Sequence, residues 1–314
     1  MPTVKQLRFL IALEEYQHFG RAAAACHISQ SAFSIAIKGL ETKLNVHLVD
    51  RTNRSVAFTD IGRTIAEQSR LCINDIEALV NIAASRQEPL NGRLALGVIP
   101  TIAPFLLPSI LPEIRKRFPK LELYLREDKT HVIHEQLLAG KLDLILVAFP
   151  FDMKNVVRMP LYDDPFLFAC CRETRWLDGK RDDIRIDMLP EESILLLDDG
   201  HCLRDHALQA CKLHDTDQIS RFAATSLQTL LQMVAADIGV TFIPAMAQDS
   251  LMLQGSSIEL HAMPEESCRQ IGLAWRKGSS RGAEFAMLGK LLQEMHQQDG
   301  IFHHTDSNTL TKTG

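Results

Sequence analysis

Residues 195–215, LLLDDGHCLRDHALQACKLHD, contain the side chains with the clearest capacity for chemistry. A strand-like run is followed by a segment with a helical pattern, so Cys202 is predicted near a helix N-terminus. The positive end of the helix dipole, with His201 and Arg204 beside it, would stabilise a thiolate, the form of cysteine that attacks peroxide. Asp205 and two earlier aspartates oppose that effect, so the tuning of the thiol must be local.

Cys211 lies nine positions after Cys202 and is the candidate partner in a disulfide. Oxidation of Cys202 would give a sulfenic acid, which condenses with a nearby thiol. In one continuous helix, nine steps of ~1.5 Å would separate the two Cα atoms by roughly 13 Å. A disulfide needs them within about 7 Å, so the bond would require the segment to refold and could act as a switch. Alternatively, both cysteines are ordinary apolar residues of a core.

The 314 residues have the composition of an ordinary globular chain of two or three domains, 46% hydrophobic and 23% charged, with a net charge of −5. No apolar run approaches the length of a membrane span. Acidic residues interrupt the apolar stretch at the N-terminus, which is not the pattern of a signal peptide. We therefore expect a cytoplasmic protein that has no membrane partner.

The seven cysteines are not spaced like a structural disulfide framework or a zinc site. Their number is odd, and no C-x-x-C pair occurs among them. We expect no metal ion and no cofactor, and we expect any functional cysteine to be redox-reactive. The other five are expected to be small core residues: Cys26, Cys72, Cys170, Cys171 and Cys268.

Residues 1–59 have the pattern of a winged helix-turn-helix, a small DNA-binding domain. The three helical patterns and the β-prone wing segment are 7–19, 21–28, 29–45 and 46–59, the last containing the turn Thr52-Asn53-Arg54. Ser29 is the expected N-cap of the third helix. Residues 1–60 hold seven basic and five acidic side chains, a weak excess of positive charge that suits DNA.

The third helix is the expected recognition helix, which places its N-terminal residues in the major groove. Gln30 could bond to adenine, and Lys38 could contact a phosphate. Each polar residue taken alone could equally be a solvated surface residue. As a set, they indicate double-stranded DNA as the partner. The candidate DNA contacts are Ser29, Gln30, Ser31, Ser34, Lys38, Arg51 and Arg54.

Residues 60–90 form one long helical pattern, whose apolar positions recur at three-, four- and seven-residue steps. Its length favours a linker helix that pairs with a second copy of the chain, although an ordinary surface helix remains the alternative. The apolar positions are Ile61, Ile65, Cys72, Ile76, Leu79 and Ala83.

After Pro89 and Asn91-Gly92, residues 91–302 alternate between strand and helix patterns. The alternation predicts an α/β domain with largely parallel sheets, and the number of strands favours two lobes with a ligand site between them. The predicted strands are 93–99, 121–127, 143–149, 165–171, 193–199, 220–225, 239–245 and 270–276, and the predicted helices are 103–118, 131–140, 226–238 and 282–298. The polar tail, 303–314, is expected to be disordered.

Residues 9–62, from FLIALEEYQHF to SVAFTDIG, resemble the DNA-binding domain of LysR-type transcriptional regulators, and the resemblance extends over nearly the whole chain. It implies a winged helix-turn-helix, a linker helix and a two-lobed effector domain like a periplasmic binding protein. It also implies a tetramer built from dimers on a long promoter site, with RNA polymerase as a further expected partner. The stretch Ala36-Ile37-Lys38-Gly39 departs from the more basic stretch that relatives often carry here.

Two further stretches, GHCLRDHALQAC (200–211) and RFAATSLQTLLQMVAADIGVTFIPAMA (221–247), resemble the members of that family that sense hydrogen peroxide. The resemblance implies that Cys202 is the peroxidatic cysteine and Cys211 the resolving one. Their disulfide would activate antioxidant genes, and a cellular thiol reductant such as glutaredoxin would reverse it.

The same resemblance implies roles for further residues around the thiol. Thr101 in GVIPT and Thr130 in EDKTH match threonines that line the peroxide pocket, and Arg269 in CRQIG matches a basic residue that stabilises the thiolate. His201 and Asp205 flank the reactive cysteine in the same motif. Thr101 could also, or instead, cap the helix that follows it.

Three functions are compatible with these patterns. The leading one is a peroxide-gated activator of transcription. The second is a LysR-type regulator that binds a small metabolite between its lobes, the cysteines being incidental. The third is a thiol peroxidase, an enzyme, which the N-terminal DNA-binding module disfavours because a peroxidase needs no such domain.

Overall fold

The computed structural model describes residues 1–51, 56–85, 89–177, 184, 186–210, 216–264 and 266–299. Within these ranges, only the backbone is described for Arg51, 81–85, Thr216 and Asp299. Several sequence predictions lie outside the described residues: the wing turn at 52–54, which includes Arg54, the side chain of Arg51, Cys211 and the tail at 303–314.

Helices and strands alternate through most of the described chain. The helices are α1 (Val4–Tyr16), α2 (Phe19–Ala25), α3 (Gln30–Leu44), α4 (Asp60–Ser85), α5 (Ala103–Arg117), α6 (Thr130–Leu138), α7 (Cys202–Ala210), α8 (Leu227–Ala235) and α9 (Gly282–Asp299). The strands are β1 (Val49–Arg51), β2 (Val56–Phe58), β3 (Gly92–Val98), β4 (Leu121–Glu127), β5 (Leu144–Phe149), β6 (Val156–Cys171), β7 (Ile194–Leu197), β8 (Ile219–Ala224), β9 (Thr241–Pro244), β10 (Ile258–Ala262) and β11 (Cys268–Arg276). Within the described ranges, no helix is both long enough and apolar enough to cross a membrane.

The N-terminal head packs α1, α2 and α3 around a small apolar core and adds the antiparallel pair β1–β2. Its largest fully buried residues include Leu10 of α1 and, seven positions apart on one face of α3, Phe33 and Leu40. Ser29 caps α3 by accepting a hydrogen bond from the Ala32 amide at 3.3 Å, as the sequence predicted. The winged helix-turn-helix fold is thereby confirmed.

The long helix α4 contacts both the head and the body. Its Arg70 forms a largely buried ion pair of 2.6 Å with Glu14 of α1, and the side-chain amide of Asn74 donates to the carbonyl oxygen of Gly140 at 3.0 Å. The face that packs against the chain carries Ala66 and Ile73, which are buried. Of the apolar stripe seen in the sequence, Ile65 packs against the head core, whereas Ile61 and Leu79 are exposed.

The main sheet of the body has seven strands, six of them in the order β10-β6-β11-β5-β3-β4, with β9 also paired to β6. The prediction of largely parallel sheets was wrong for this sheet. Strands β3, β4 and β5 are parallel, but β6, β9, β10 and β11 form antiparallel pairs. A run of strand-forming residues predicts extended backbone but not the direction of the neighbouring strand, which long-range contacts decide.

Strand β6 is twice as long as predicted and passes through both lobes. Its first half pairs with β11 and its second half with β9 and β10. The sequence pattern missed the first half because Pro160 and Pro165 interrupt it. The pairing with β11 shifts register beside Pro160, and an irregularity of this kind is where a strand tolerates proline.

The two lobes have separate apolar cores, which confirms the two-lobed α/β body. One core gathers β3, β5, α5 and α9, and the other gathers β7, α8 and β9, with the parallel pair β7–β8 at its edge. Helix α7 lies between them, because Cys202 packs with the first core whereas Leu203 and Ala207 pack with the second. The predicted reactive cysteine is therefore placed at the junction of the lobes.

Candidate functional site

Cys202 is the first residue of α7 and is only 5% exposed. Strand β7 ends at Leu197, and the chain then turns through Gly200, whose φ of 88° is a left-handed conformation that favours glycine. The turn brings the helix start back against the first lobe. The predicted strand-turn-helix arrangement around the thiol is therefore observed.

Burial raises the pKa of the Cys202 thiol, and this effect outweighs the groups that lower it, the Thr130 hydroxyl and the Arg269 guanidinium. Asp205 raises the pKa further. His201 and Arg204, the expected stabilisers of the thiolate, are not among the groups that shift this pKa, and Arg204 instead forms an ion pair with Asp199 at 3.2 Å. The thiol is thus shielded from water, and the raised pKa favours its protonated form.

His201 is buried and its pKa is lowered, first by burial and then by the positive charge of Lys129, so its ring is neutral. Asp205 is exposed on the outer side of α7. The structure therefore brings His201 close to the thiol along the chain without giving it a charge, and it places Asp205 toward solvent.

Arg269 anchors one wall of the site. It is 1% exposed, and its Nε and Nη2 both lie 2.9 Å from Oδ2 of Asp164. Nη1 donates to the Thr101 hydroxyl and Nη2 to the Thr101 carbonyl, each at 2.9 Å. The Met246 amide completes the cluster by donating to Oδ1 of Asp164 at 3.1 Å. Burial raises the pKa of Asp164 above its ordinary value, and Arg269 and this amide offset only part of that rise.

The pairing of Arg269 with Asp164 follows from the register of the sheet. The two residues are directly opposite on the antiparallel strands β11 and β6. Cross-strand neighbours lie close enough for their side chains to interact, so the register sets the ion pair. Sequence reasoning missed Asp164, although an aspartate in an otherwise buried strand was a signal that it had a buried partner.

Thr101 is 2% exposed and belongs to the Arg269 cluster. The alternative role as a helix cap was wrong, since Ile102 occupies the N-cap position of α5 and no side chain caps that helix. Because the Thr101 oxygen accepts from Arg269, its own hydroxyl hydrogen stays available as a donor.

Thr130, the first residue of α6, is 1% exposed and faces Cys202 from the other lobe. Its hydroxyl is close enough to lower the pKa of the thiol, but the contact falls short of ordinary hydrogen-bond geometry. Among the described residues, Oγ1 has no other hydrogen-bond partner. A buried hydroxyl without a partner is costly, and such a group indicates a place where a small polar molecule can bind.

His206 is a second buried group beside the thiol that the sequence did not single out. Its Nε2 lies 2.7 Å from the carbonyl oxygen of Pro150, and its pKa is lowered by burial. The available signal was its position one helical turn after Cys202, on the same face of α7.

The candidate DNA-reading surface lies at the start of α3. Ser29, Gln30, Ser31 and Lys38 are exposed there, and Ser34 is half-buried. The Ser29 oxygen is engaged by the Ala32 amide and lies 3.1 Å from the Ser31 hydroxyl, so Ser29 has a structural role as the cap. The side chain of Arg51 and the whole of Arg54 lie outside the described residues. Sequence reasoning missed Ile35, which is 72% exposed on the same helix and has the chemistry to contact a thymine methyl group.

Comparisons with known proteins agree with this architecture. Residues 4–63 match the family model "Bacterial regulatory helix-turn-helix protein, lysR family", and residues 87–297 match "LysR substrate binding domain". The chain is 38% identical over 299 residues to the DNA-binding transcriptional dual regulator OxyR of Escherichia coli K12, covering 95% of this chain and 97% of that protein. It is also 32% identical over 296 residues to the regulator EstR of Acinetobacter baylyi, covering 94% and 97%.

Two solved structures extend the likeness to three dimensions. A full-length OxyR cysteine variant from Pseudomonas aeruginosa superimposes with a TM-score of 0.78 at 31% identity, covering 93% of this chain and 98% of that one. A hydrogen-peroxide-bound OxyR variant from Corynebacterium glutamicum has a TM-score of 0.63 at 32% identity, covering 95% and 93%. The chain therefore belongs to the LysR family of bacterial helix-turn-helix transcriptional regulators and, within it, to the OxyR group.

Proposed function

We propose that this regulator is an activator of antioxidant genes that hydrogen peroxide switches on by oxidising Cys202, followed by a reversible disulfide with Cys211. The observation that carries the proposal is the buried thiol of Cys202, which lies in the field of Arg269 and faces the Thr130 hydroxyl, a group without a hydrogen-bond partner of ordinary geometry among the described residues. The relatives named as hydrogen-peroxide-inducible gene activators support the same signal.

In the first step, the Cys202 sulfur attacks one oxygen of hydrogen peroxide. An S–O bond forms, the O–O bond breaks, and the thiol proton ends on the departing oxygen, so the products are a sulfenic acid and water. The sulfur loses the two electrons that the peroxide gains. The hydroxyls of Thr101 and Thr130 would hold the two peroxide oxygens, and the Arg269 guanidinium would stabilise the thiolate as it forms.

In the second step, the Cys211 sulfur attacks the sulfenic sulfur. An S–S bond forms and the S–O bond breaks, and the hydroxyl takes the proton of the Cys211 thiol and leaves as water. Helix α7 runs from Cys202 to Ala210, about 12 Å along its axis, whereas consecutive Cα atoms are only about 3.8 Å apart. A disulfide between Cys202 and Cys211 therefore requires α7 to unwind at least in part, since the bond needs Cα atoms within about 7 Å. A thiol reductant of the glutaredoxin kind would return both cysteines to the reduced state.

A contiguous set of contacts joins the thiol to the DNA-binding head. Helix α6 begins at Thr130 beside the thiol, and Gly140, just after its C-terminus, accepts a hydrogen bond from Asn74 of α4. Helix α4 is in turn bonded to the head through Arg70 and Glu14. Refolding of α7 beside one end of α6 would thus alter the contact between the other end of α6 and the linker helix α4. This contiguity supports the proposal, and a coupling measurement is needed to establish it.

The outward face of α4 supports the proposal that the regulator assembles with itself. Ile61, Leu79 and Val80 are exposed apolar residues on a helix of 26 residues, and such a helix suits pairing with the same helix of a second copy. We propose a dimer through α4, a tetramer of two dimers on promoter DNA, and RNA polymerase as the partner in activation. The domain limits of 1–59, 60–90 and 91–302 and the cytoplasmic location belong to the same proposal.

The proposal is tested with a promoter reporter in cells that carry the full chain. Cys202→Ser is expected to abolish induction by peroxide, because serine cannot be oxidised in this way. Cys268→Ser is the matched control, since Cys268 lies beside Arg269 and burial also raises its pKa, yet it has no part in the reaction. Peroxide induction that persists in Cys202→Ser would overturn the proposal. A small metabolite that induces transcription with no loss of thiols would favour the metabolite-binding alternative.

A further inference from the structure

His206 connects the helix of the reactive cysteine to the opposite lobe. It lies one turn after Cys202 on α7, so the two side chains share a face of the helix. The residue is 3% exposed, and its Nε2 lies 2.7 Å from the carbonyl oxygen of Pro150. Pro150 directly follows β5, a strand inside the main sheet with β3 on one side and β11 on the other.

This hydrogen bond defines the tautomer of the ring. A carbonyl oxygen only accepts, so Nε2 must carry the hydrogen and donate it. Burial lowers the pKa of His206, and the charge of Arg269 lowers it further, while the Pro150 carbonyl and Asp205 oppose this. The lowered pKa favours the neutral ring, in which Nδ1 is a lone-pair acceptor.

The other nitrogen of the same ring is buried and, within the described part of the chain, unsatisfied. Among the described residues, the buried Nδ1 has no hydrogen-bond partner. An unpaired buried acceptor destabilises the arrangement that buries it. At this position, the hydrogen bond from Nε2 to Pro150 therefore stabilises the contact between α7 and the first lobe, and the unsatisfied Nδ1 weakens it. Such a contact positions the helix without locking it.

We propose that His206 is a positioning residue for the oxidation of Cys202, which holds α7 on the Pro150 carbonyl while the thiol reacts and releases it when the disulfide forms. The inference rests on the proposed function, because it assigns His206 a part in both steps of that reaction. His206 contributes no atom, proton or electron to either step. It keeps the sulfur between Thr130 and Arg269 during the attack on peroxide, and the unwinding of α7 then breaks its bond to Pro150.

A positioning role for His206 predicts opposite changes in the rate of attack on peroxide and the rate of disulfide closure. Loss of the bond should slow the attack on peroxide, because the sulfur is less well held. It should also accelerate closure of the disulfide, because α7 unwinds more easily. A general loss of fold would not move the two rates in opposite directions, so the pair of rates separates a positioning role from a merely structural one.

The test uses the full chain with three variants. His206→Leu removes the donor and keeps apolar volume, and His206→Gln restores an N–H donor. Gln209→Leu is the control on the exposed side of the same helix. The attack is followed in a Cys211→Ser background by trapping the sulfenic acid with dimedone after addition of hydrogen peroxide. Closure is followed with Cys211 present, by quenching with an alkylating agent and weighing the intact chain.

For His206→Leu, we expect attack to be about three- to ten-fold slower and closure about three- to ten-fold faster, the range that one neutral hydrogen bond gives. His206→Gln should restore both rates, and Gln209→Leu should change neither. If the leucine variant does not fold, His206→Asn replaces it, since asparagine is too short to reach the Pro150 carbonyl and should give the same pair of changes.

Unchanged rates, two rates that fall together, or no rescue by glutamine would overturn the role of His206. These outcomes are distinguishable from failure of the proposed function, which would appear in the unaltered chain. There, peroxide would give neither a sulfenic acid at Cys202 nor a disulfide with Cys211.

Discussion

The Arg269 wall and the α7 wall of the site around Cys202 are built from opposite kinds of contact. Arg269, Asp164, Thr101 and Met246 form a closed network of hydrogen bonds at 2.9–3.1 Å, buried from solvent. On the side formed by α7 and the start of α6, two buried polar atoms instead lack hydrogen-bond partners within the described part of the chain, Thr130 Oγ1 and His206 Nδ1. The hydrogen bonds of the Arg269 wall hold its side chains in place. The α7 wall has polar atoms that a small molecule could satisfy and fewer bonds that oppose movement. A switch needs both, because the rigid wall defines the chemistry and the loose wall carries the response.

The strongest way to break this contrast is to remove Arg269 from the fixed wall. Arg269→Met leaves the Asp164 carboxylate buried without its partner, so the free energy of unfolding should fall by about 3–5 kcal/mol. Urea denaturation of the reduced chain measures the change. Arg276→Met is the control on the same strand, because Arg276 is partly exposed and its ion pair with Asp75 is long, at 3.9 Å. A loss in Arg269→Met no larger than the control would show that the network is not the rigid element.

Substitution of Thr130 should mainly slow the attack on peroxide, whereas substitution of Thr101 should mainly lower the free energy of unfolding. Thr130→Val removes a hydroxyl that makes no hydrogen bond of ordinary geometry to any residue the structure describes, so stability should hold or rise slightly. The attack on peroxide should slow by about ten- to a hundred-fold, the range for a hydrogen bond to a charged group. Thr101→Val also strands a donor of Arg269 and should lower the unfolding free energy by about 1–3 kcal/mol. Denaturation and sulfenic-acid trapping measure both variants. If Thr130→Val is the one that loses stability, the α7 side is not the unsatisfied one.

The pH profile of the attack measures which influence prevails at the thiol. Burial raises the pKa of Cys202 above its ordinary value, so the thiolate fraction is small at neutral pH. A single titrating proton gives about a ten-fold rise in rate for each pH unit below the pKa. The rate should therefore climb from pH 6 through pH 8 without levelling off, in the Cys211→Ser background. A plateau below pH 7 would show that Arg269 and Thr130 outweigh burial.

The smallest expected effect concerns the far end of α6. Gly140 has a φ of 69°, and a Cβ there would come within 2.6 Å of Leu71 on α4. Gly255→Ala is a matched control, because Gly255 has a φ of 71° with no atom within 4 Å of the added Cβ. Both variants should lose about 1 kcal/mol of stability from backbone strain. Only Gly140→Ala should also weaken the response of DNA binding to oxidation, measured by footprinting of the reduced and oxidised chains. Equal footprints for the two variants would show that the α6–α4 contact does not couple oxidation to DNA binding.

Local patterns in the sequence were enough to predict the head and many elements of the body. Ser29 as a helix cap, Cys202 at the start of a helix and the alternation of strands and helices all depend on residues close together in the chain. The pairing of Arg269 with Asp164 did not emerge, because it depends on the register between two strands about a hundred residues apart. The tuning of the thiol was misjudged for a related reason, since burial is a tertiary property that neighbouring charges do not reveal.

The disulfide between Cys202 and Cys211 is the central claim, and the most direct measurement maps it. The reduced full chain is treated briefly with one equivalent of hydrogen peroxide, free thiols are alkylated, and the peptides are identified by mass spectrometry. The account predicts one linked pair, Cys202 with Cys211, with the other five cysteines alkylated, and its disappearance after reduction. If all seven thiols are alkylated, or if Cys202 is linked elsewhere, the account is contradicted.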